Sequence, residues 1–251
     1  MKQFINLTLL TSLIWFSSFS FSDNHIPTFG PMEAFSCNFS DNKDMGDLLR
    51  VTKEWNSYVD KTGLVYSAWV LTPYYFNNSE EYDMYWIGFS TSFEEMTNDV
   101  MITNEGQKIQ AKFDQVCPAE EHTLWGTEVV RAPKIAPGDG VLTISSCTLS
   151  EGATREAVLA ADEKWNAFLD QAGTEGGLYR WYPGSGVSSA QFNADFLIAS
   201  TTDSLNTWGK GADMNVNGGG NAVATSLYGD LMECVDQRVF LAKNVRLPSS
   251  N

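Results

Sequence analysis

Trp55-Asn56-Ser57-Tyr58-Val59-Asp60-Lys61-Thr62-Gly63 returns 110 positions later as Trp165-Asn166-Ala167-Phe168-Leu169-Asp170-Gln171-Ala172-Gly173. Outward from this stretch, at the same offset, Cys37 matches Cys147, Ser40 Ser150, Leu49 Leu159, Pro73 Pro183, Ser79 Ser189, Ser90 Ser200 and Thr91 Thr201. Cys37 to Thr91 thus carries eleven identities in 55 positions, where ordinary composition gives roughly three or four. Tyr82/Phe192, Trp86/Phe196 and Ile87/Leu197 add conservative pairs. Self-similarity at a fixed period decides an architecture before any single element does. One unit of about 100 residues is used twice.

Each copy reads strand, helix, strand, strand, helix, strand. Ala34–Phe39 and Leu142–Leu149 are the first strands. Asp44 and Thr154 offer side-chain oxygens to the orphan amides of a helix start. The helix that follows has Met45, Leu48, Leu49, Thr52, Trp55, Asn56 and Val59 on one face, and its counterpart has Val158, Leu159, Asp162, Trp165, Asn166 and Leu169, the stripe of an amphipathic helix. Gly63 and Gly173 stop them. Val65–Thr72 and Tyr82–Ser90 are the next strands, echoed by Leu178–Tyr182 and Phe192–Ser200. Ser92 and Glu95 form a capping-box pattern for a second helix, expected to break at Asn104-Glu105-Gly106 and, in the second copy, at Asn217–Asn221. Leu124–Arg131 and Val239–Arg246 close the copies. The organisation expected is a signal peptide over 1–22, a first repeat over 23–132, a linker over 133–140 and a second repeat over 141–251.

The leader reading rests on Lys2 followed by the uncharged run Phe4–Phe21 and small residues Ser20 and Ser22, the pattern of a cleaved export signal. A run of about 18 residues is near the minimum for a membrane span, so an uncleaved anchor is the rival. Cleavage would start the mature chain at Asp23, with 15 basic against 31 acidic side chains, a net charge of −16. Such a surface repels nucleic acid and anionic membranes. Periplasmic or secreted localisation is expected, with no membrane association after cleavage. Cys37, Cys117, Cys147 and Cys234 in an exported chain suggest disulfides.

This element order is the split βαβ of ferredoxin-like folds. The expected fold is α+β, two tandem βαββαβ repeats packed sheet to sheet as an internal pseudo-dimeric α+β barrel. Met84-Tyr85-Trp86-Ile87-Gly88-Phe89 and Phe196-Leu197-Ile198-Ala199 are apolar on both faces, so both faces need cover. In that arrangement the chain resembles the dimeric α+β-barrel superfamily with both halves fused, and secreted bacterial proteins of two such repeats. Because the pseudo-dimer is internal, a monomer is expected. First and last strands of the split βαβ lie antiparallel, which points to the pairings Cys37–Cys117 and Cys147–Cys234.

The superfamily that the chain resembles includes haem enzymes, cofactor-free monooxygenases and isomerases, and the likeness brings no catalytic motif. Of the two histidines, His25 lies near the mature N-terminus and His122 before a last strand, where a surface role outweighs that of ligand or base. No cofactor and no metal are expected. Arg180 and Asp195 replace Val70 and Tyr85 of the first copy, on strands two and three. They read as an ion pair, structural or, as the rival, a functional acid and anion clamp. Tyr66, Trp69, Trp86, Tyr179, Trp181 and Tyr182 share those strands as core or as the wall of a ligand site. The glycines Gly218-Gly219-Gly220 lack the lysine and spacing of a phosphate loop and read as a flexible break. Asn56 and Asn166 should hydrogen-bond nearby backbone. The function expected is binding of a small, partly apolar ligand between sheet and helices. The alternatives are a cofactor-independent monooxygenase or isomerase-type enzyme, and a protein-interaction module.

Overall fold

In the computed structural model, which describes residues 29–77, 80–98 and 100–248, the strands and helices follow the capping and periodicity signals. The expected leader, its cleavage point and His25 lie outside the described residues. The first half contains β1 (Phe29–Cys37), α1 (Met45–Thr62), β2 (Tyr66–Tyr75), β3 (Met84–Ser90), α2 (Phe93–Met96), α3 (Asn104–Val116) and β4 (Ala119–Arg131). The second contains β5 (Gly140–Leu149), α4 (Arg155–Gln171), β6 (Leu178–Pro183), β7 (Phe196–Thr202), α5 (Leu205–Val216), α6 (Gly220–Tyr228) and β8 (Met232–Arg246). Asp44 caps α1 in a full capping box, and Gly63 ends it in the left-handed region at φ 77°. Thr154 caps α4 through the Ala157 amide.

One expected break moves. Asn104-Glu105-Gly106 opens α3 instead of interrupting it, because Thr103 Oγ1 accepts from Gly106 N at 3.0 Å. The interruption lies earlier, around the 3-10 turn Val100–Ile102, which sits so close to Gly106 that a Cβ there would be 2.4 Å from Val100 O.

Spatial order is β4-β1-β3-β2 in one half and β8-β5-β7-β6 in the other. β2 pairs antiparallel with β8 and β4 with β6, so the eight strands close into a barrel. Closure removes every unpaired sheet edge. Met32, Leu71, Ile87, Trp125, Trp181, Leu197 and Phe240 fill the lumen. Outside it, the first half's helices cover Leu48, Trp55, Val59, Tyr66, Val70 and Trp86, and the second's cover a smaller set of Cys147, Val158, Phe196 and Met232.

Disulfides Cys37–Cys117 and Cys147–Cys234 tie the end of each first strand to the last strand of the same half, just before β4 begins and within the first residues of β8. The repeated polar residues of the helices join the two halves. Asn56 Nδ2 donates to Val245 O at 2.7 Å, and Asn166 Nδ2 to Val130 O at 2.9 Å. Asp60 holds Arg246 and Asp170 holds Arg131, at 2.8 and 2.7 Å. Each helix is thereby lashed to the last strand of the opposite half.

The offset of 110 does not hold everywhere. Ala68 pairs with Gly88, whereas Leu178 pairs with Ser200; Met32 pairs with Phe89, whereas Leu142 pairs with Thr201. Relative to both neighbours β7 has slipped by two residues. Asp83, Trp86 and Gly88 therefore correspond to Asp195, Ile198 and Ser200, and the sequence pairs Trp86/Phe196 and Tyr85/Asp195 are out of register.

Candidate functional site

That slip undoes the expected Arg180–Asp195 pair. Asp195 is exposed just before β7, its carboxylate accepting from Leu149 N at 2.7 Å. Asp83 does the same for Phe39 N at 2.9 Å in the first half, so Asp195 is a repeated structural cap and no acquired charge. Arg180 is 1% exposed and faces the helices. Its Nη1 and Nη2 donate to Asp162 Oδ2 and Oδ1 at 2.8 and 2.6 Å, the fork geometry that suits guanidinium and carboxylate. Glu128 on β4 lies 3.7 Å from Arg180, accepts from Arg155 at 2.9 Å and from the Tyr182 hydroxyl at 2.8 Å. Tyr228 on α6 donates to Asp162 at 2.8 Å.

Two carboxylates and two guanidiniums thus neutralise one another, with Arg180, Asp162 and Glu128 buried and Arg155 reaching in from the solvent side. Burial, and then the hydrogen bond to Glu128, pushes the Tyr182 phenol up to about 12. Burial and Asp162 push Tyr228 up as well. The partner of Arg180 was missed, though Asp162 stood on the apolar stripe of its helix. In the first copy Thr52 and Val70 hold the corresponding places, a joint change from uncharged to charged that marks two facing positions.

The open space lies beside this cluster. In the first half, Tyr66, Trp55, Trp86 and Phe113 meet edge to face between sheet and helices. The Tyr66 hydroxyl donates to Glu33 at 2.7 Å and accepts from Trp86 Nε1 at 3.1 Å. Gly88 permits this, since a Cβ there would fall 1.5 Å from the Tyr66 hydroxyl oxygen. In the second half Gly176 stands at the place of Tyr66, and after the slip Ile198 at that of Trp86. Two rings are absent, and a cavity of about 460 Å³ opens there. Trp165, Leu169, Ile198, Trp208 and Met214 give it apolar walls, with Thr143, Ser145, Ser200 and Asn215 as polar points. Trp208 Nε1 donates to Thr143 Oγ1 at 3.1 Å.

Apart from Asp195, the candidate residues from the sequence divide among three places. Trp69, Tyr179 and Trp181 point into the lumen. Tyr66 and Trp86 are packed in the first half's core. Arg180 belongs to the ion cluster and does not line the cavity. Gly176, Thr143, Ile198 and Trp208, which build the cavity, were not singled out; the exchange of Tyr66 for Gly176 at the repeat offset was the available signal.

A histidine-held haem does not fit these residues. His122 is the only histidine among the described residues, and it sits in the first half, stacked on Phe35 at 3.9 Å with Nε2 2.8 Å from Glu33. The cavity wall includes no histidine, cysteine, tyrosine or carboxylate.

No sequence-family model matches the chain, and no curated protein matches it. Solved structures do. One is a Lactobacillus acidophilus protein named a "putative monooxygenase", with a TM-score of 0.56 at 8% identity over 86% of this chain and 94% of that one. A "putative monooxygenase" from Fusobacterium nucleatum gives 0.52 at 8% identity over 88% and 93%. A variant of chlorite dismutase from Candidatus Nitrospira defluvii gives 0.52 at 6% over 86% and 92%. The chain therefore has the fold shared by chlorite dismutase-like proteins and dimeric α+β-barrel monooxygenases. At these identities the likeness concerns the fold alone.

Proposed function

We propose that this is an exported binding protein that holds a small, largely apolar ligand between sheet and helices of its second half. The observation carrying the reading is the asymmetry of the two halves: the first fills this space with Tyr66 and Trp86, and the second leaves about 460 Å³ open. That volume falls within the roughly 300–1,000 Å³ of small-molecule sites. The hydroxyls of Thr143, Ser145 and Ser200 offer orientation without charge. Arg131, the cation of the wall, gives Nη2 to Asp170 and to Thr174 O, both at 2.7 Å, while its buried Nε has no acceptor, so a largely apolar ligand carrying one hydrogen-bond acceptor suits the site. Export is supported by the Phe4–Phe21 run and by two disulfides, which persist in oxidising compartments. No helix among the described residues is long and apolar enough to cross a membrane. A barrel closed within one chain supports a monomer.

A cofactor-independent enzyme is the second reading, supported by the fold shared with proteins named monooxygenases; the Arg180–Asp195 pair no longer supports it. The test of the first reading uses the neutral fluorophore N-phenyl-1-naphthylamine with the oxidised protein. Saturable binding is expected, with energy transfer from Trp165 and Trp208. Gly211→Phe introduces a ring at a wall position where a Cβ meets nothing within 4 Å, and should weaken binding at least tenfold. Binding unchanged by Gly211→Phe would overturn the assignment.

A further inference from the structure

One end of the barrel lumen is built differently from its middle. A cavity of about 220 Å³ opens there, with Met32, Leu71, Trp125, Ile144, Phe192 and Phe240 among its walls. Side chains on a strand alternate between the two faces of a sheet. Trp125 of β4 faces the lumen, so Thr123 and Glu121 follow it on the same face toward the mouth, and both line the cavity. The same alternation brings Arg238 inward beyond Phe240 on β8, and Tyr85 beyond Ile87 on β3. Aromatic and aliphatic walls thus end in a polar rim.

Glu121 and Arg238 are the charged residues of this wall, and their charges are not equivalent. Arg238 Nη1 lies 3.4 Å from Glu80, whose side chain is 3% exposed and also accepts from the Tyr85 hydroxyl. A carboxylate so buried needs its cation, so the charge of Arg238 is consumed inside the protein. Glu121 is half-buried and accepts from Ser36 Oγ at 3.3 Å. It joins no ion pair among the described residues. The rim therefore keeps one negative charge, on a chain with 31 acidic against 16 basic side chains. Such a field concentrates cations at the opening.

We infer that the lumen is a second ligand site, separate from the helix-side cavity, for a primary amine carrying one ring or a comparably small apolar group. Its ammonium pairs with Glu121 at the mouth, and its apolar group lies among the rings within. A carboxylate can accept at both oxygens, so the Ser36 hydroxyl leaves room for an ammonium N–H. Tyr82, Tyr85 and Phe240 form an edge-to-face row from the mouth inward, with ring centres 5.7 Å apart at each step. Aromatic faces attract a cation. Size limits the apolar group: an apolar cavity of roughly 150 Å³ holds benzene, and the lumen cavity leaves room for one short substituent. Entry is from this rim, because the segment 133–140 lies across the other end. Trp69 Nε1 on Gly138 O at 2.9 Å and Lys243 on Asp139 at 2.7 Å pin that segment.

The test uses the intact disulfide-bonded chain with benzylamine, benzyl alcohol and benzoate, three probes of one shape and different charge. Calorimetry gives the affinities, and methionine-methyl NMR gives the place. Met32 lines the lumen cavity and Met214 the helix-side cavity, and Met32→Leu and Met214→Leu identify their signals. Benzylamine should bind saturably, about tenfold more tightly than benzyl alcohol, and should move the Met32 signal while leaving Met214 fixed. Glu121→Gln keeps an oxygen for Ser36 and should leave Tm unchanged, yet abolish the preference for the amine. In the native protein, added salt should weaken benzylamine and spare benzyl alcohol. Val187→Trp, in the loop that lines the mouth, should block both probes. Three results would each overturn the site: no saturation at millimolar benzylamine, a shift of Met214 in place of Met32, or a preference for the amine that survives both Glu121→Gln and salt. Benzoate binding more tightly than benzylamine would give the mouth to Arg238 and refute the amine assignment as well. Failure of the fluorophore test leaves these lumen results intact, so the two readings stand or fall separately.

Discussion

Arg180, Asp162 and Glu128 share one dry space, and none of them can lose its partner cheaply. Removing one member of a buried ion pair leaves an uncompensated charge and costs roughly 3–5 kcal/mol. Arg180→Val, which copies Val70 of the first half, should therefore lower stability by about that amount in urea unfolding. Asp195→Ala removes one hydrogen bond at an exposed cap and should cost about 1 kcal/mol. Equal losses from the two changes would refute the division between an ion cluster and a cap. The presence of a buried Arg180 was legible in the apolar surroundings of its strand. Its partner was not, because Asp195 looked near in sequence register, and only the side-chain fork to Asp162 shows which carboxylate it meets.

Among the elements, β7 decides the difference between the halves. Its two-residue slip keeps the inward and outward faces, since side chains alternate with a period of two, yet it replaces Trp86 by Ile198 beneath the helices. Strand existence and the alternation were readable from Phe196-Leu197-Ile198-Ala199. The slip was not, because identities at Ser90/Ser200 and Thr91/Thr201 anchored the wrong alignment just past it. The first half's packing gives a direct test. Gly88→Ala would drive a methyl into the Tyr66 ring, whose Cζ would be 2.1 Å away, and should cost about 1–3 kcal/mol as overpacking. In a Tyr66→Ala background the same change should be nearly neutral. A similar cost of Gly88→Ala in both backgrounds, measured by denaturant midpoints, would show that Tyr66 is not what Gly88 accommodates.

At the scale of the molecule, closure joins what each half leaves unpaired. A fragment of residues 29–136 would expose the edges of β2 and β4 as well as its lumen face, and such edges seek partners. It should yield oligomers and no folded monomer, which light scattering would decide; a folded monomer would contradict the dependence of each half on the other. The disulfides close loops with separations of 80 and 87 residues, and each should add about 4.5 kcal/mol in the chain-entropy picture. Alkaline behaviour is a second global test. Tyr182 is raised to about 12, and Tyr66, Tyr85 and Tyr228 are also raised, burial being the largest cause. Unfolded tyrosines ionise near 10, so between that pH and the folded values the unfolded chain binds fewer protons and stability falls as pH rises. The contribution is complete below about pH 10. Absorbance titration should show these phenols ionising only as the fold is lost. Ionisation of all nine tyrosines near pH 10 with the far-UV signal intact would contradict this.

The order βαββαβ, its double use, the amphipathic helices and the double-sided burial of the central strands were fixed by local chemistry, and the cysteine pairing followed from that order. Capping, periodicity and the repeat offset act over a few residues or at one constant spacing, and a sequence displays them directly. Where space remains between the elements was decided by tertiary structure alone. A cavity is the difference between the volume that the backbone encloses and the volume that side chains from distant segments fill. Tyr66 closes one such space and Gly176 with Ile198 opens its counterpart, once β7 has settled two residues out of step.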